Sequence, residues 1–199
     1  MKIKLIKSLR VLNTLCASAI RNLRMACSLT TIIRGSYDGL IYRGLNRTEV
    51  FRLDKLYIEM SGTRNLAWHL RVVYWLIGNR MVIVAARRTE HHDQVVGFDM
   101  FYFNERDTQE GTIHEGFIGV LPEYRGMGIA TNLRRHAINN FRRDIVRGIT
   151  SRIDSDNIPS LKSAFKVGFQ IIEKYYDIVC EKDRYYLVKR FDSSTHDAC

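Results

Sequence analysis

The chain has 199 residues, 46% hydrophobic and 26% charged, which suits one soluble domain with its own core and excludes disorder as its main state. No apolar run reaches the ~20 residues of a membrane span. Cys16, Cys27, Cys180 and Cys199 are scattered without a CxxC, so no metal site or disulfide framework is expected, and a reducing, cytoplasmic setting is the simplest reading. The formal net charge of +10 and the pI of about 9.6 ask for an anionic partner: nucleic acid, an anionic lipid surface, an acidic carrier protein or a phosphorylated small molecule.

Residues 1–35 form a basic arm, with Lys2, Lys4, Lys7, Arg10, Arg21, Arg24 and Arg34 and no acid before Asp38. Leu5, Leu9, Leu12, Cys16, Ala19 and Leu23 follow helical spacing, so an amphipathic helix is expected. Three readings stay open. The helix lies on an anionic membrane surface; it packs on its own domain or on a second copy in a homodimer; or it is a secretory signal cleaved near Ala17-Ser18-Ala19, although Arg10 and Asn13 interrupt its apolar region.

The catalytic domain is expected over residues 36–192. Gly35 to Gly39 reads as a turn or linker, and Leu40 to Gly44 as a strand. Thr48 can cap a helix from Glu49 to about Met60, and Asn65 a second one, striped by Leu66, Leu70, Val73 and Ile77 and ended by Gly78. Strands follow at Met81–Ala86, Val95–Phe103 and Thr112–Val120, separated by the polar turn His91-His92-Asp93-Gln94 and a turn from Asn104 to Gly111. A helix runs from about Gly128 to Arg143, then a buried strand from Gly148 to Ile153. Asn157 caps a further helix with Pro159 in its first turn and Gly168 closing it. Phe169–Val179 and Arg184–Phe191 read as a final hairpin, and 193–199 as a loose tail. The order fits an α+β domain around a mostly antiparallel sheet.

The chemistry lies in Ile118-Gly119-Val120-Leu121-Pro122-Glu123-Tyr124-Arg125-Gly126-Met127-Gly128-Ile129-Ala130. A strand ends, a tight turn holds Pro122, and a glycine-rich loop opens into an amphipathic helix. Backbone N–H groups and the positive helix end converge there on one point, which makes a phosphate cradle. It is neither a Walker loop nor a dinucleotide Gly-x-Gly-x-x-Gly.

The order Val-x-Pro-x-x-Arg-Gly-x-Gly-x-Ala resembles motif A of the GNAT acyltransferase superfamily, and Arg125-x-x-Gly128-x-Ala130 matches its short signature. Asn157-Ile158-Pro159-Ser160 through Lys166-Val167-Gly168-Phe169 resembles motif B at the right distance, so the likeness covers roughly residues 40 to 191. It implies the GNAT fold, a mixed, mostly antiparallel sheet splayed at an acyl-CoA site and flanked by helices. It implies acetyl-CoA as acyl donor, with the pyrophosphate on the amides of Gly126, Met127, Gly128, Ile129, Ala130 and Thr131, and Arg125 adding charge. Ile118 and Val120 would pair with the pantetheine arm as another strand does. Asn157, with Ser160, would contact the same arm from the motif B helix. The amide near Val120 would stabilise the tetrahedral oxyanion.

Direct transfer needs a neutral amine, hence a base. The family's usual position, six residues before Val120, is His114. Strand alternation puts His114 on the face of Gly116 and Val120 unless a bulge intervenes, and its ordinary pKa suits neutral pH. His114 is therefore the favoured base and Glu115 the alternative. The tyrosine that commonly protonates the thiolate falls here at Ala164; Tyr102, Tyr175, Tyr176 or water is left to do so. Trp68 and Trp75 are expected in the core or the acceptor cleft. Arg134, Arg135, Arg142 and Arg143 are expected on a solvated helix face, with nucleic-acid binding the weaker reading. The expected reaction moves acetyl from acetyl-CoA to a primary amine of a small or anionic acceptor: an amino-sugar nucleotide, an amino acid or a metabolite, with a protein amine also a candidate. Two rivals are a longer acyl donor delivered by acyl carrier protein, and a non-catalytic acetyl-CoA sensor.

Overall fold

The computed structural model describes residues 2–62, 65–90 and 93–191, with side chains from residue 12 onward. His91, His92 and the tail therefore lie outside the described residues. In chain order the elements are α1 (Lys2–Cys27), β1 (Gly35–Tyr37), β2 (Leu40–Gly44), a 3-10 turn (Arg47–Glu49), α2 (Val50–Ser61), α3 (Trp68–Met81), β3 (Val82–Arg88), β4 (Asp93–Tyr102), α4 (Glu105–Glu110), β5 (Ile113–Val120), a 3-10 turn (Pro122–Tyr124), α5 (Ile129–Phe141), β6 (Gly148–Asp154), α6 (Ile158–Phe165), β7 (Gln170–Asp177) and β8 (Lys182–Arg190). One sheet holds all the strands in the order β1-β2-β3-β4-β5-β6-β8-β7. Every neighbouring pair is antiparallel except β5–β6.

Several local expectations give way. The Gly35–Gly39 stretch is a hairpin: Asp38 and Gly39 take φ of 51° and 74°, the type I′ turn that an Asp-Gly pair favours between twisted strands. Asn46, not Thr48, opens the α2 region, through a capping box with Glu49. Ala67 rather than Asn65 precedes α3, and the helix passes Gly78 to Met81 across a kink at Ile77. The Asn104–Gly111 turn contains α4, because the Asn104 side chain accepts from Asp107 N at 2.9 Å.

The basic arm is set apart by charge but not by packing. Along α1, Asn22 and Ala26 are fully buried, and Leu29 and Ile32 beyond it join the central core. The Asn22 amide clamps the Phe103 backbone, accepting from its N at 2.7 Å and donating to its O at 3.2 Å. Earlier in the helix Leu12 is 47% exposed and Cys16 is exposed, whereas Ala19 and Leu23 are half-buried against the core, so the expected stripe packs only in its later part. No helix among the described residues is long and apolar enough to cross a membrane.

The sheet has helices on both faces. Phe117 stacks on Phe98 and packs against Tyr57 of α2, while Phe101 packs against Phe141 of α5. Phe101 pairs with Glu115 and Met100 with Phe117, leaving Gly116 as an unpaired bulge on β5. That extra residue reverses the alternation. Glu115 and Ile118 therefore share the α5 face, and His114 and Phe117 the α2 face.

Candidate active site

β5 and β6 start side by side and then part. Their parallel register runs only from Ile113↔Ile149 to Glu115↔Ser151, although β5 continues to Val120 and β6 to Asp154. The β5 edge after Glu115 is left without a strand on that side. A cleft of about 640 Å³ fills the gap, and its wall includes Ile118, Val120, Arg125, Gly126, Gly128, Ile129, Ala130, Thr131, Asn157 and Ser160. Met127 does not line it and points to solvent at 62% exposure. Gly119, Tyr124, Pro159 and Lys166, from the same motif segments, also line it, as do Met60, Phe117, Lys162 and Ser163, to which motif spacing gave no role. Lys162 and Lys166 sit at helical spacing, a signal that charge patterning could have caught.

The loop's glycines are conformational. Gly126 and Gly128 have φ of 79° and 77°, and an added Cβ would meet nothing within 4 Å at either. Glycine is thus required for the left-handed backbone that starts α5 rather than for space inside the protein. The loop's exposed amides and the α5 N-terminus suit an anion. Arg125 folds back, its Nε donating to the Val120 carbonyl at 3.2 Å. Asn157 caps α6 by accepting from Ser160 N at 3.2 Å. Gly119 is tight for another reason: a Cβ there would sit 2.5 Å from Met60 Sδ and 2.7 Å from the Phe117 ring, so those two side chains crowd this part of the cleft.

Glu115 lies on the α5 side, where Arg134 Nε and Nη2 donate to its two oxygens at 2.9 and 2.8 Å and Ser151 Oγ donates at 2.7 Å. Arg134 is 1% exposed. It is therefore not on the solvated face expected of it. It also donates to Ser160 and Ser163 of α6, tying the two motif helices together through the base of the fork. Asp99 completes the cluster with no donor to either oxygen. Burial, and next the Glu115 charge, push its carboxyl well above the usual carboxylate range.

His114 occupies the opposite face with Tyr102, whose ring centroid is 5.0 Å away. Its Nδ1 is 2.7 Å from Thr150 Oγ1, and the residue is 2% exposed. Burial, then the Arg152 and Arg184 charges, push its imidazole down to about 3, so the ring is neutral at pH 7. Neither His114 nor Glu115 lines the cleft, and the bulge removes the alternation by which His114 was placed with Val120. Of the tyrosines left as proton donors, Tyr176 is 59% exposed and Tyr175 has a buried hydroxyl without a partner. Burial raises the Tyr102 and Tyr175 hydroxyls, which keeps both protonated. Ala164 is fully buried. Trp68 and Trp75 are 51% and 47% exposed on α3 rather than in the core. Among the described residues no cluster of three His, Cys, Asp or Glu could hold a metal.

A sequence model described as the acetyltransferase (GNAT) family matches residues 50–169. No curated protein matches the sequence. Solved structures similar to this chain include Arabidopsis thaliana NAA60 in complex with acetyl-CoA, 16% identical over 76% of this chain and 99% of that one, with a TM-score of 0.65. The NatC complex bound to Gag peptide and CoA is 18% identical over 76% and 98%, at 0.65. The ribosomal-protein-S5-alanine acetyltransferase of Vibrio fischeri is 15% identical over 81% and 98%, also at 0.65. At these identities the likeness is one of fold.

Proposed function

The chain belongs to the acetyltransferase (GNAT) family, an acyl-CoA N-acyltransferase with acetyl-CoA as donor, and we propose that its acceptor is a primary amine carrying an anionic group, with His114 taking the amine proton. The observation that carries the donor side is the splayed β5–β6 fork ending in the positive-φ loop at Gly126 and Gly128. The pantetheine amides would add to the free β5 edge at Ile118 and Val120. The pyrophosphate would rest on the α5 N-terminus, with Lys162 and Lys166 across the cleft. Met60 and Phe117 crowd Gly119, which favours acetyl over a long acyl chain.

The amine nitrogen attacks the thioester carbonyl, and the oxyanion is held by the Val120 amide. The C–S bond then breaks, CoA leaves as thiolate and takes a proton, and the proton lost by the amine goes to His114 through water. Glu115 is unsuited to that task because Arg134 and Ser151 occupy both its oxygens on the far face. The anionic acceptor is favoured by Arg152, on the His114 face of β6, and by the +10 net charge. A peptide N-terminus is the second reading, because similar folds include enzymes bound to peptide or acting on ribosomal protein.

The test is CoA release from acetyl-CoA over an amine panel containing UDP-glucosamine and an alanine-initiated peptide. Turnover of the nucleotide alone supports the anionic reading, and turnover of the peptide alone replaces it. His114→Ala should lower kcat about 10²–10⁴-fold with little change in acetyl-CoA affinity. An unchanged kcat removes His114 from the reaction.

A further inference from the structure

The hydrogen bonds behind His114 have a direction. Asp107, on α4, is fully buried. Its Oδ1 accepts from Thr112 Oγ1 at 2.7 Å and from Thr150 Oγ1 at 2.6 Å. A threonine hydroxyl has one proton, and Thr150 gives it to Asp107. In the 2.7 Å contact between Thr150 Oγ1 and His114 Nδ1, the ring nitrogen must then be the donor. Nδ1 carries the hydrogen, and Nε2 holds the lone pair.

We propose that Asp107 and Thr150 are positioning residues for His114: an Asp107–Thr150–His114 relay that makes Nε2 the proton acceptor and stabilises the imidazolium formed during transfer. The relay rests on the reading of His114 as the base. The Asp107 carboxylate lies across one hydroxyl from the ring, with Oδ2 3.7 Å from Nδ1 and no donor of its own. Its charge is thus turned towards the place where positive charge develops. It opposes the groups that disfavour a protonated ring, namely burial, Arg152 from β6 and Arg184 from β8. Tyr102 from β4 packs against the ring as a neutral neighbour. Tyr186 from β8 faces Thr150 and Asp107, as a protonated phenol that burial raises. Burial also raises the Asp107 carboxyl, and the Thr150 and Thr112 hydroxyls pull it back. The same three side chains pin α4 and β6 to β5, so the test must separate orientation from stability.

Thr150→Val removes the hydroxyl at nearly constant shape, Thr150→Ser keeps it, and Asp107→Asn keeps an acceptor oxygen without the charge. With acetyl-CoA and the panel amine that turns over, UDP-glucosamine or the alanine-initiated peptide, Thr150→Val and Asp107→Asn should each lower kcat about 10–100-fold. KM for acetyl-CoA should stay within about 2-fold, and Thr150→Ser should recover most of the rate. Neither change should lower the rate further in a His114→Ala background. Nitrogen-15 NMR of the intact protein should show His114 with Nδ1 protonated and Nε2 bare, a preference lost in Thr150→Val. An equal loss of rate in the His114→Ala background makes Thr150 and Asp107 merely structural and overturns the relay, as does a ring protonated at Nε2 in an enzyme that needs His114. A His114→Ala enzyme with full kcat sinks the base reading, and the relay's catalytic role goes with it.

Discussion

Arg134→Met removes the cation from the base of the fork. The guanidinium is 1% exposed. It makes two hydrogen bonds to Glu115, at 2.9 and 2.8 Å, and further ones to Ser160 and Ser163. Its loss leaves the Glu115 carboxylate buried, with the Ser151 hydroxyl still donating to it and Asp99 beside it. Breaking one partner out of a buried pair costs about 3–5 kcal/mol. At about 2–4 °C per kcal/mol for a chain of this size, Tm should fall by about 10 °C. Adding Glu115→Gln removes the stranded charge, so the double variant should lose at least about 1 kcal/mol less than the sum of the single changes. Urea unfolding of the four proteins at pH 7 measures all of this. A loss below about 1 kcal/mol, or strict additivity, would show that the pair is not a coupled buried unit.

Other outcomes follow from single features. Gly128→Val forces a β-branched residue to φ of 77°, at about 1–3 kcal/mol of strain; it should weaken acetyl-CoA binding at least 10-fold by calorimetry, and unchanged affinity would refute the phosphate cradle. His114 is held at about 3, against an ordinary value of 6.5. Its contribution is therefore complete above pH 6.5 and lost as pH falls towards 3, about 2 kcal/mol between pH 7 and 5. The buried His69 and His136, also pushed down, act with the same sign, so the comparison is the pH slope of unfolding in His114→Gln, which should be flatter than the parent's. Truncation to Gly35 removes the buried Ala26, Leu29 and Ile32 and the Asn22 clamp. It should cost several kcal/mol at about 1.5–3 per large apolar side chain, whereas a chain starting at Leu12 keeps those contacts. Sedimentation of the intact chain with anionic vesicles reads the membrane alternative in the same experiment.

What the sequence determined by itself is local. The turn at Pro122, the glycines at 126 and 128 and the helix behind them depend on backbone angles and residues that follow one another, so this loop and its helix were legible from spacing. Asn157 is legible in the same way, because an N-cap is read from its own helix. The α4 cap at Asn104 and the Asp38-Gly39 hairpin were equally local signals, present in the chain and missed. The side chains around the reaction were decided elsewhere. Which face His114 takes relative to Val120 depends on Gly116 being squeezed out of register against Phe101 and Met100, and a bulge of that kind is set by the partner strand. Arg134 looks like any arginine on a polar helix face until Glu115, 19 residues earlier, is brought beneath it. The hydrogen on His114 Nδ1 is settled by Thr150 and Asp107, which lie on other elements. Backbone conformation is a short-range property of the chain. Burial, pairing of charges and the tautomer of a ring are properties of groups that only folding makes neighbours.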